Sequence, residues 1–69
     1  MIEKNLTCNL IDKINGYEIL RCEVRTFCEY TNRFYGTRKV YYDVCLPDGG
    51  DIIESRRTLK EAIKFAKSL

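Results

Sequence analysis

Four cysteines are the side chains of this sequence best suited to metal or redox chemistry. They are Cys8, Cys22, Cys28 and Cys45, separated by 14, 6 and 17 residues, and the chain contains no histidine. Structural zinc sites usually draw ligands from a closely spaced Cys-x-x-Cys pair, which is absent here. On one extended strand, Cys22 and Cys28 would lie about 20 Å apart, too far to share a tetrahedral ion. We therefore predict no metal site and no cofactor.

Cys8 and Cys22 leave two further interpretations. Directly opposed residues of antiparallel strands come close enough to form a disulfide. The N-terminal stretch MIEKNLTCNL lacks a basic segment followed by a long apolar run, so we expect neither a signal peptide nor a membrane span and predict a cytoplasmic location. Thiols stay reduced in the cytoplasm. We therefore favour the interpretation of both cysteines as small apolar core residues, and we expect Cys45 to face outward.

Catalytic chemistry is not indicated by the remaining residues. The chain has no histidine, no glycine-rich phosphate loop and no paired carboxylates on one inward face. Asp48 and Asp51 flank two glycines but lack the further oxygen ligands of a calcium loop, so a turn explains them better. We predict a protein that is not an enzyme.

The length of the chain and the distribution of its charge indicate what kind of domain carries these residues. The chain has 69 residues, 45% hydrophobic and 32% charged, with a net charge of +2. This is one domain, residues 1–69, with a small core. Residues 1–55 carry seven basic and nine acidic side chains, whereas residues 56–69 carry five basic and one acidic. The C-terminal segment is therefore a basic patch on a nearly neutral body.

The first two predicted strands form a hairpin around Asn15-Gly16. The usual two-residue turn, which pairs Ile14 with Tyr17, would place apolar side chains on the same face as charged ones. We therefore predict a three-residue bulged loop, Ile14-Asn15-Gly16, that pairs Lys13 with Tyr17. In this register the apolar pairs are Leu10 with Leu20, Cys8 with Cys22, and Leu6 with Val24.

The second and third strands alternate in the manner of a half-buried antiparallel sheet. The predicted inward residues are Leu20, Cys22, Val24, Cys28, Tyr30, Val40, Tyr42, Val44 and Leu46. Setting Val24 opposite Val44 gives the outward pairs Arg25/Asp43, Phe27/Tyr41 and Glu29/Lys39, each favourable by roughly 0.2 to 1 kcal/mol. Pro47-Asp48-Gly49 predicts a type I turn that leads to a short fourth strand around Ile52.

The C-terminal segment changes to helical periodicity. Thr58-Leu59-Lys60-Glu61 is a capping box. The apolar stripe that follows consists of Leu59, Ala62, Ile63, Ala66 and Leu69, flanked by Phe65. A helix this short is marginal alone and must pack on the sheet. The predicted fold is α+β, a four-stranded antiparallel meander sheet with one C-terminal helix packed on one face (β-β-β-β-α).

The connection between the second and third strands, TNRFYGTRK, is a candidate partner-binding loop. Its residues Arg33, Phe34, Tyr35, Arg38 and Lys39 are of the types that anchor protein interfaces. The structural alternative is that Phe34 or Tyr35 folds back as a lid over the core.

The sheet face left uncovered by the helix is a second candidate surface. Its predicted members are Ile11, Ile19, Arg21, Arg25, Phe27 and Tyr41. We expect it to accept a protein partner or a second copy of the chain, which would make a homodimer.

Nucleic-acid binding is the alternative function. The residues that would contact phosphates are Arg56, Arg57, Lys60, Lys64 and Lys67. The segment PDGGDIIESRRTLKEAIKFAKSL resembles the second half of a double-stranded-RNA-binding domain, a likeness that covers about a third of the chain and implies a phosphate-binding role for Lys60. The N-terminal helix of that family is absent here.

The chain as a whole resembles the small single-domain α+β proteins of phages and mobile elements, such as anti-CRISPR proteins. The resemblance rests on size, a compact α+β plan and the absence of a catalytic site. It implies a protein-binding module that inhibits a host protein by occluding it, which we predict as the function.

Overall fold

The computed structural model describes residues 1–69 and contains four strands and one helix. The elements are β1 (Ile2–Ile14), β2 (Tyr17–Cys28), β3 (Arg33–Cys45), β4 (Ile52–Arg56) and α1 (Leu59–Lys67). The strands form one antiparallel sheet in the order β1-β2-β3-β4, with α1 packed against it. The predicted α+β fold is confirmed. No helix of the chain has the length and hydropathy needed to span a bilayer.

The β1–β2 hairpin has the predicted central register but a different turn. Cys8 pairs with Cys22 and Leu10 with Leu20, as predicted. The turn has two residues rather than three, because Asn15 (φ 52°) and Gly16 (φ 84°) both adopt the left-handed conformation that a type I′ turn requires. Ile14 therefore pairs with Tyr17. The predicted bulge lies inside β1 instead, at Ile11.

A second irregularity in β1 lies at Leu6. Asn5, rather than Leu6, is the partner of Val24, so the predicted Leu6–Val24 pair is wrong. Bulges of this kind leave one residue unpaired and increase the local twist of the strand. Two of them in one strand keep Cys8 and Leu10 in register with β2 while the flanking residues shift.

The predicted β2–β3 register is wrong by five residues from Glu18 to Val24 and by seven from Thr26 to Cys28, because a further shift leaves residues 36–38 of β3 without partners. Val24 pairs with Lys39 rather than Val44, and the three predicted outward pairs do not form. The connection is a four-residue turn, residues 29–32, with Asn32 at φ 56°. Tyr30, predicted inward, lies in this turn and is 99% exposed.

An odd shift in register moves every side chain of β3 to the other face relative to β2. As a result, Val44 shares a face with Ile19 rather than with Val24. The helix packs on that face, where Ile19, Val44, Ala62 and Ala66 are fully buried. The helix therefore covers the face predicted to be open, and Ile19 lies beneath it.

The face opposite the helix carries a second group of buried residues. Cys22, Val24 and Cys45 are buried there together with the carboxylate of Asp43. The prediction that Cys45 faces outward is wrong, because the same odd shift in register places its side chain among these buried residues. The pKa of the Cys45 thiol is raised above its ordinary value, first by burial and then by the nearby charge of Asp43.

The C-terminal elements follow the prediction in outline. Asp48 (φ 63°) and Gly49 (φ 73°) are both left-handed, so the turn is not the predicted type I. Thr58 caps α1 by accepting a hydrogen bond from the Glu61 N–H at 3.2 Å, as predicted. Ala62 and Ala66 face the sheet, but Leu59, Leu69 and Leu46 remain exposed rather than joining the core.

Candidate functional site

The sheet extends well beyond the helix. The buried residues under α1 include Ile19, whereas Phe27 lies eight residues further along β2, about 26 Å away at 3.3 Å per residue. The molecule is accordingly elongated, with principal extents of 43 × 21 × 16 Å. The far end of the sheet consists of the start of β1, the end of β2 and the start of β3. We call it the distal end.

An apolar row crosses the three strands at the distal end. Ile2 of β1 pairs with Phe27 of β2, which pairs with Phe34 of β3. The Phe27 and Phe34 rings lie 5.0 Å apart between centroids, tilted by 60°, a favourable aromatic geometry. Ile2 is 44% exposed and Phe34 39% exposed. The row is therefore an apolar surface with an exposed side chain on either side of the half-buried Phe27 ring.

Two cations flank the apolar row. Lys4 and Arg25 are cross-strand partners, two residues from Ile2 and Phe27 respectively. The Lys4 Nζ lies 3.9 Å from the Phe27 centroid, and the Arg25 Cζ lies 5.9 Å from the Phe34 centroid, both within range of a cation–π interaction. The Arg25 Nε–H also donates to the Gly36 carbonyl at 2.8 Å.

Neither flanking cation has a carboxylate partner. The ion pairs of the chain are Lys13–Glu18, Arg21–Glu23, Arg38–Glu23, Lys39–Glu3 and Arg56–Glu54. We call the five residues Ile2, Lys4, Arg25, Phe27 and Phe34 the distal patch. It combines an apolar row with positive charge that no side chain of the protein neutralises.

The predicted partner-binding loop is in fact the first part of β3. Arg33, Phe34 and Tyr35 pair with Cys28, Phe27 and Thr26. The Tyr35 hydroxyl is hydrogen-bonded to the Thr31 hydroxyl at 2.9 Å, so it anchors the turn and is still 40% exposed. Neither ring covers the core around Ile19, which lies at the other end of the sheet.

The three predicted cations of this segment behave differently from one another. Arg38 forms an ion pair with Glu23 at 3.6 Å, and Lys39 forms one with Glu3 at 3.6 Å. The carboxylate of Glu23 also accepts hydrogen bonds from Arg21 and Thr7, which lower its pKa below the ordinary value, the Arg21 bond most. Arg33 forms no ion pair and is exposed.

The second predicted surface is divided between several environments. Ile19 is buried under α1, Arg21 lies on the same face beside Tyr42, and Ile11 is the bulged residue of β1. Tyr41 lies on the opposite face, where its hydroxyl donates to Asn5 Oδ1 at 3.0 Å. Only Arg25 and Phe27 come together, at the distal patch.

The predicted nucleic-acid residues lie at the helix end of the molecule. Lys60, Lys64 and Lys67 are exposed on α1 and form no ion pair, and Arg57 is exposed before the helix. Arg56 differs, because it is half-buried, forms an ion pair with Glu54 at 2.9 Å and lies over the Phe65 ring.

A disulfide joins Cys8 to Cys22, whose Cα atoms lie 4.2 Å apart. The interpretation of these two residues as free thiols is therefore wrong, although their direct opposition is as predicted. The Cys22 Sγ lies 3.6 Å from Asp43 Oδ2, a contact rather than a hydrogen bond, because a disulfide sulfur has no proton. The other carboxylate oxygen of Asp43 accepts a hydrogen bond from Ser55. Cys28 and Cys45 are free and buried.

One edge of the distal end is unpaired. β4 pairs only with Tyr42–Cys45 of β3, so residues 33–41 have a neighbouring strand on one side alone. None of the backbone hydrogen bonds outside the helix and strands involves residues 33–41. The backbone groups of this edge are therefore available to another strand.

Ile2 and Lys4 are the residues of the patch that sequence reasoning missed. Both stand on β1 with the spacing of two that places side chains on one face of a strand. This signal was present, but it could not be tied to Phe34 without the β2–β3 register. Comparison with protein-family models, curated proteins and solved structures finds no match to this chain.

Proposed function

We propose that the chain is a non-enzymatic protein-binding module that uses the distal patch. The observation that carries this proposal is the apolar row of Ile2, Phe27 and Phe34, which has its two outer side chains exposed, lies beyond the reach of the helix and is flanked by two unneutralised cations. Exposed apolar surface rimmed by polar groups is characteristic of protein interaction sites. Aromatic and arginine side chains are also the residues that contribute most binding energy there.

The patch is poorly explained as a stabilising element alone. The core of the domain is centred on Ile19 and Val44, and α1 shields it from water. At the distal end no second layer covers the rings, so the apolar area of Ile2 and Phe34 is only partly removed from water. Because hydrophobic stabilisation is proportional to the area removed from water, these side chains stabilise the free protein less than a covered position would.

The test is a cross-linking capture from cell lysate. A photo-crosslinking residue at Arg38, whose exposed side chain reaches Glu23 on the same face as Phe27, would attach the partner, and mass spectrometry would identify it. Phe27→Ala with Phe34→Ala should lose the cross-linked partner, since anchor residues cost about 2 kcal/mol or more each when truncated. Melting curves of the same variant should still show a cooperative transition, because the core around Ile19 is untouched.

Ile52→Ala with Leu69→Ala is the matched control. Both residues are exposed and apolar, but they lie at the helix end of the molecule. This control should retain the partner. Equal capture by the patch variant and the wild-type chain would contradict the proposal.

Nucleic-acid binding through α1 is the second candidate, favoured by the three exposed lysines that lack ion pairs. In that case Lys60→Glu, Lys64→Glu and Lys67→Glu should remove binding while the patch variant retains it. Affinity should fall steeply with salt, with a slope of log Kd against log salt of about two to three for three neutralised phosphates. Nuclease treatment of the lysate separates the two candidates directly.

Narrower proposals depend on the identity of the partner. A host enzyme or complex captured at the patch would support an inhibitor of the phage type that occludes its target. A second copy of the chain would support a homodimer instead. The cytoplasmic location stays a prediction, and the Cys8–Cys22 disulfide bears on it, because disulfides persist mainly in oxidising compartments.

A further inference from the structure

We propose that the partner contributes an acidic extended segment, which adds to the sheet as a strand beside Arg33–Tyr35. This inference rests on the proposed function and specifies the chemistry of the partner. Phe34 belongs both to the distal patch and to the unpaired edge of β3. A strand on this edge would therefore engage the free backbone groups and the side-chain surface at once.

The rows of side chains that cross the sheet define which residue type the added strand needs at each position. A residue opposite Phe34 continues the apolar row, so it should be apolar. The residue opposite Gly36 would lie near Arg25, because the Gly36 carbonyl accepts a hydrogen bond from the Arg25 Nε–H, although β3 is irregular there, with Gly36 at φ 75°. A Cβ built at Gly36 would meet nothing within 4 Å, so that position is open. An acidic side chain there could reach the Arg25 guanidinium.

The opposite face of the added strand would meet Arg33. Adjacent residues of a strand point to opposite faces, so Arg33 lies across the sheet from Phe34. Arg33 has no ion pair or side-chain hydrogen bond within the chain. In an antiparallel strand the residue opposite Arg33 follows the apolar residue directly. The segment that fits therefore reads acidic, any residue, apolar, acidic.

Charge also argues against the other occupants of this edge. Residues 33–39 carry three basic side chains and no acidic one. A second copy that paired through the same edge would bring these cations together, and like charges on opposed strand positions are destabilising. A nucleic acid would satisfy the cations but not the row of backbone donors and acceptors. An acidic strand satisfies both.

The inference can be tested by NMR titration of the isotope-labelled full chain with synthetic peptides. The probe is acetyl-SETVES-amide, which places Val opposite Phe34 and one Glu opposite each of Gly36 and Arg33. The first control is acetyl-SKTVKS-amide, which reverses the charges. The second is the SETVES peptide N-methylated at Thr and Val, which keeps the charges but removes backbone donors. A twelve-residue oligothymidylate serves as the nucleic-acid control.

The SETVES peptide should shift the amide signals of residues 33–36 and of Lys4 and Arg25, and both peptide controls should bind more weakly. Arg25→Glu with Arg33→Glu should weaken SETVES by up to about fivefold for each charge, the upper end of the range for exposed pairs, and strengthen SKTVKS. Equal binding of the two peptides, unchanged affinity after N-methylation, or binding of the oligonucleotide alone at this edge would overturn the inference.

The outcome is separable from that of the proposed function. If the cross-linked partner is lost in the Phe27→Ala, Phe34→Ala variant but retained by Arg25→Glu with Arg33→Glu, the patch binds protein and the acidic strand is wrong. If neither variant loses the partner, both proposals fail.

Discussion

The Cys8–Cys22 disulfide gives the prediction with the most direct measurement. It closes a loop across the β1–β2 hairpin, with a sequence separation of 14 residues. In the chain-entropy model, a loop of about 15 residues stabilises the folded state by roughly 3 kcal/mol. A domain of this length has a total stability of roughly 3 to 10 kcal/mol at 0.05 to 0.15 kcal/mol per residue. Reduction should therefore remove a large part of the stability.

The expected change in melting temperature follows from the size of the domain. A change of 1 kcal/mol shifts Tm by roughly 4 to 8 °C for a domain of this size. Reduced protein should thus melt about 12 to 24 °C below oxidised protein. Cys8→Ser should melt like the reduced wild-type chain, because the Cys8 side chain is exposed and the substitution leaves the core intact.

The assay has two independent readouts. Alkylation in denaturant without reductant should label two thiols, those of Cys28 and Cys45, and labelling after reduction should reach four. Melting with and without reductant then measures the contribution of the bond. Cys45→Ala is the control, since it removes a free thiol and should keep the reductant-dependent shift. Four labelled thiols before reduction, or identical melting curves, would refute the reasoning.

Two further predictions concern the core and the charge network. Ala66→Asp should abolish the cooperative thermal transition followed by circular dichroism, because Ala66 is fully buried against the Ile19 and Val44 face and an unpaired carboxylate there costs several kcal/mol. The control Lys67→Asp, one residue further on the exposed side, should still unfold cooperatively. A normal transition in Ala66→Asp would show that the helix does not pack there. Glu23→Gln should lower Tm at neutral pH but not in strong acid, because hydrogen bonds from Arg21 and Thr7 lower the pKa of Glu23 in the folded protein. The Glu23 carboxylate therefore stabilises the fold above its unfolded-state pKa of about 4.3, and this contribution is lost as the pH falls through the lower folded-state pKa. A difference in Tm that stays constant from pH 2 to pH 7 would contradict that assignment.

Local signals predicted the elements of this fold well, because each depends on neighbouring residues. The capping box gave the start of α1, and the alternation of Leu20, Cys22 and Val24 gave β2. The pairing of Cys8 with Cys22 also followed, since the hairpin is closed by a short turn. The errors there concerned the position of the bulge and a second irregularity at Leu6. Asn15-Gly16 satisfies a two-residue turn on its own, so the extra residue is accommodated at Ile11, where strand geometry can absorb it.

The β2–β3 register is less predictable because the outward pairs that distinguish one register from another are weak. The register with Val24 opposite Val44 was favoured by outward charge pairs, each worth roughly 0.2 to 1 kcal/mol. Burial of a Val or Ile side chain contributes about 1.5 to 3 kcal/mol, so burying Ile19 and Val44 together under α1 outweighs those pairs. The predicted loop after Asn32 is instead the start of β3, where the aromatic residues Phe34 and Tyr35 suit a strand.

That error in register also concealed the candidate site. With Val24 opposite Val44, Phe27 would face Tyr41, and Phe34 would belong to a loop with no fixed neighbour. The four-residue turn pairs Cys28 with Arg33 and so brings Phe34 directly beside Phe27, and a shift in register beyond Tyr35 joins this pairing to that of Val24 with Lys39. The same turn makes β3 begin at Arg33, well before the residues that β4 pairs with, so the edge beside Phe34 is left unpaired. The aromatic contact and the unpaired edge therefore have one cause, so a variant that changed the β2–β3 turn should disturb both together.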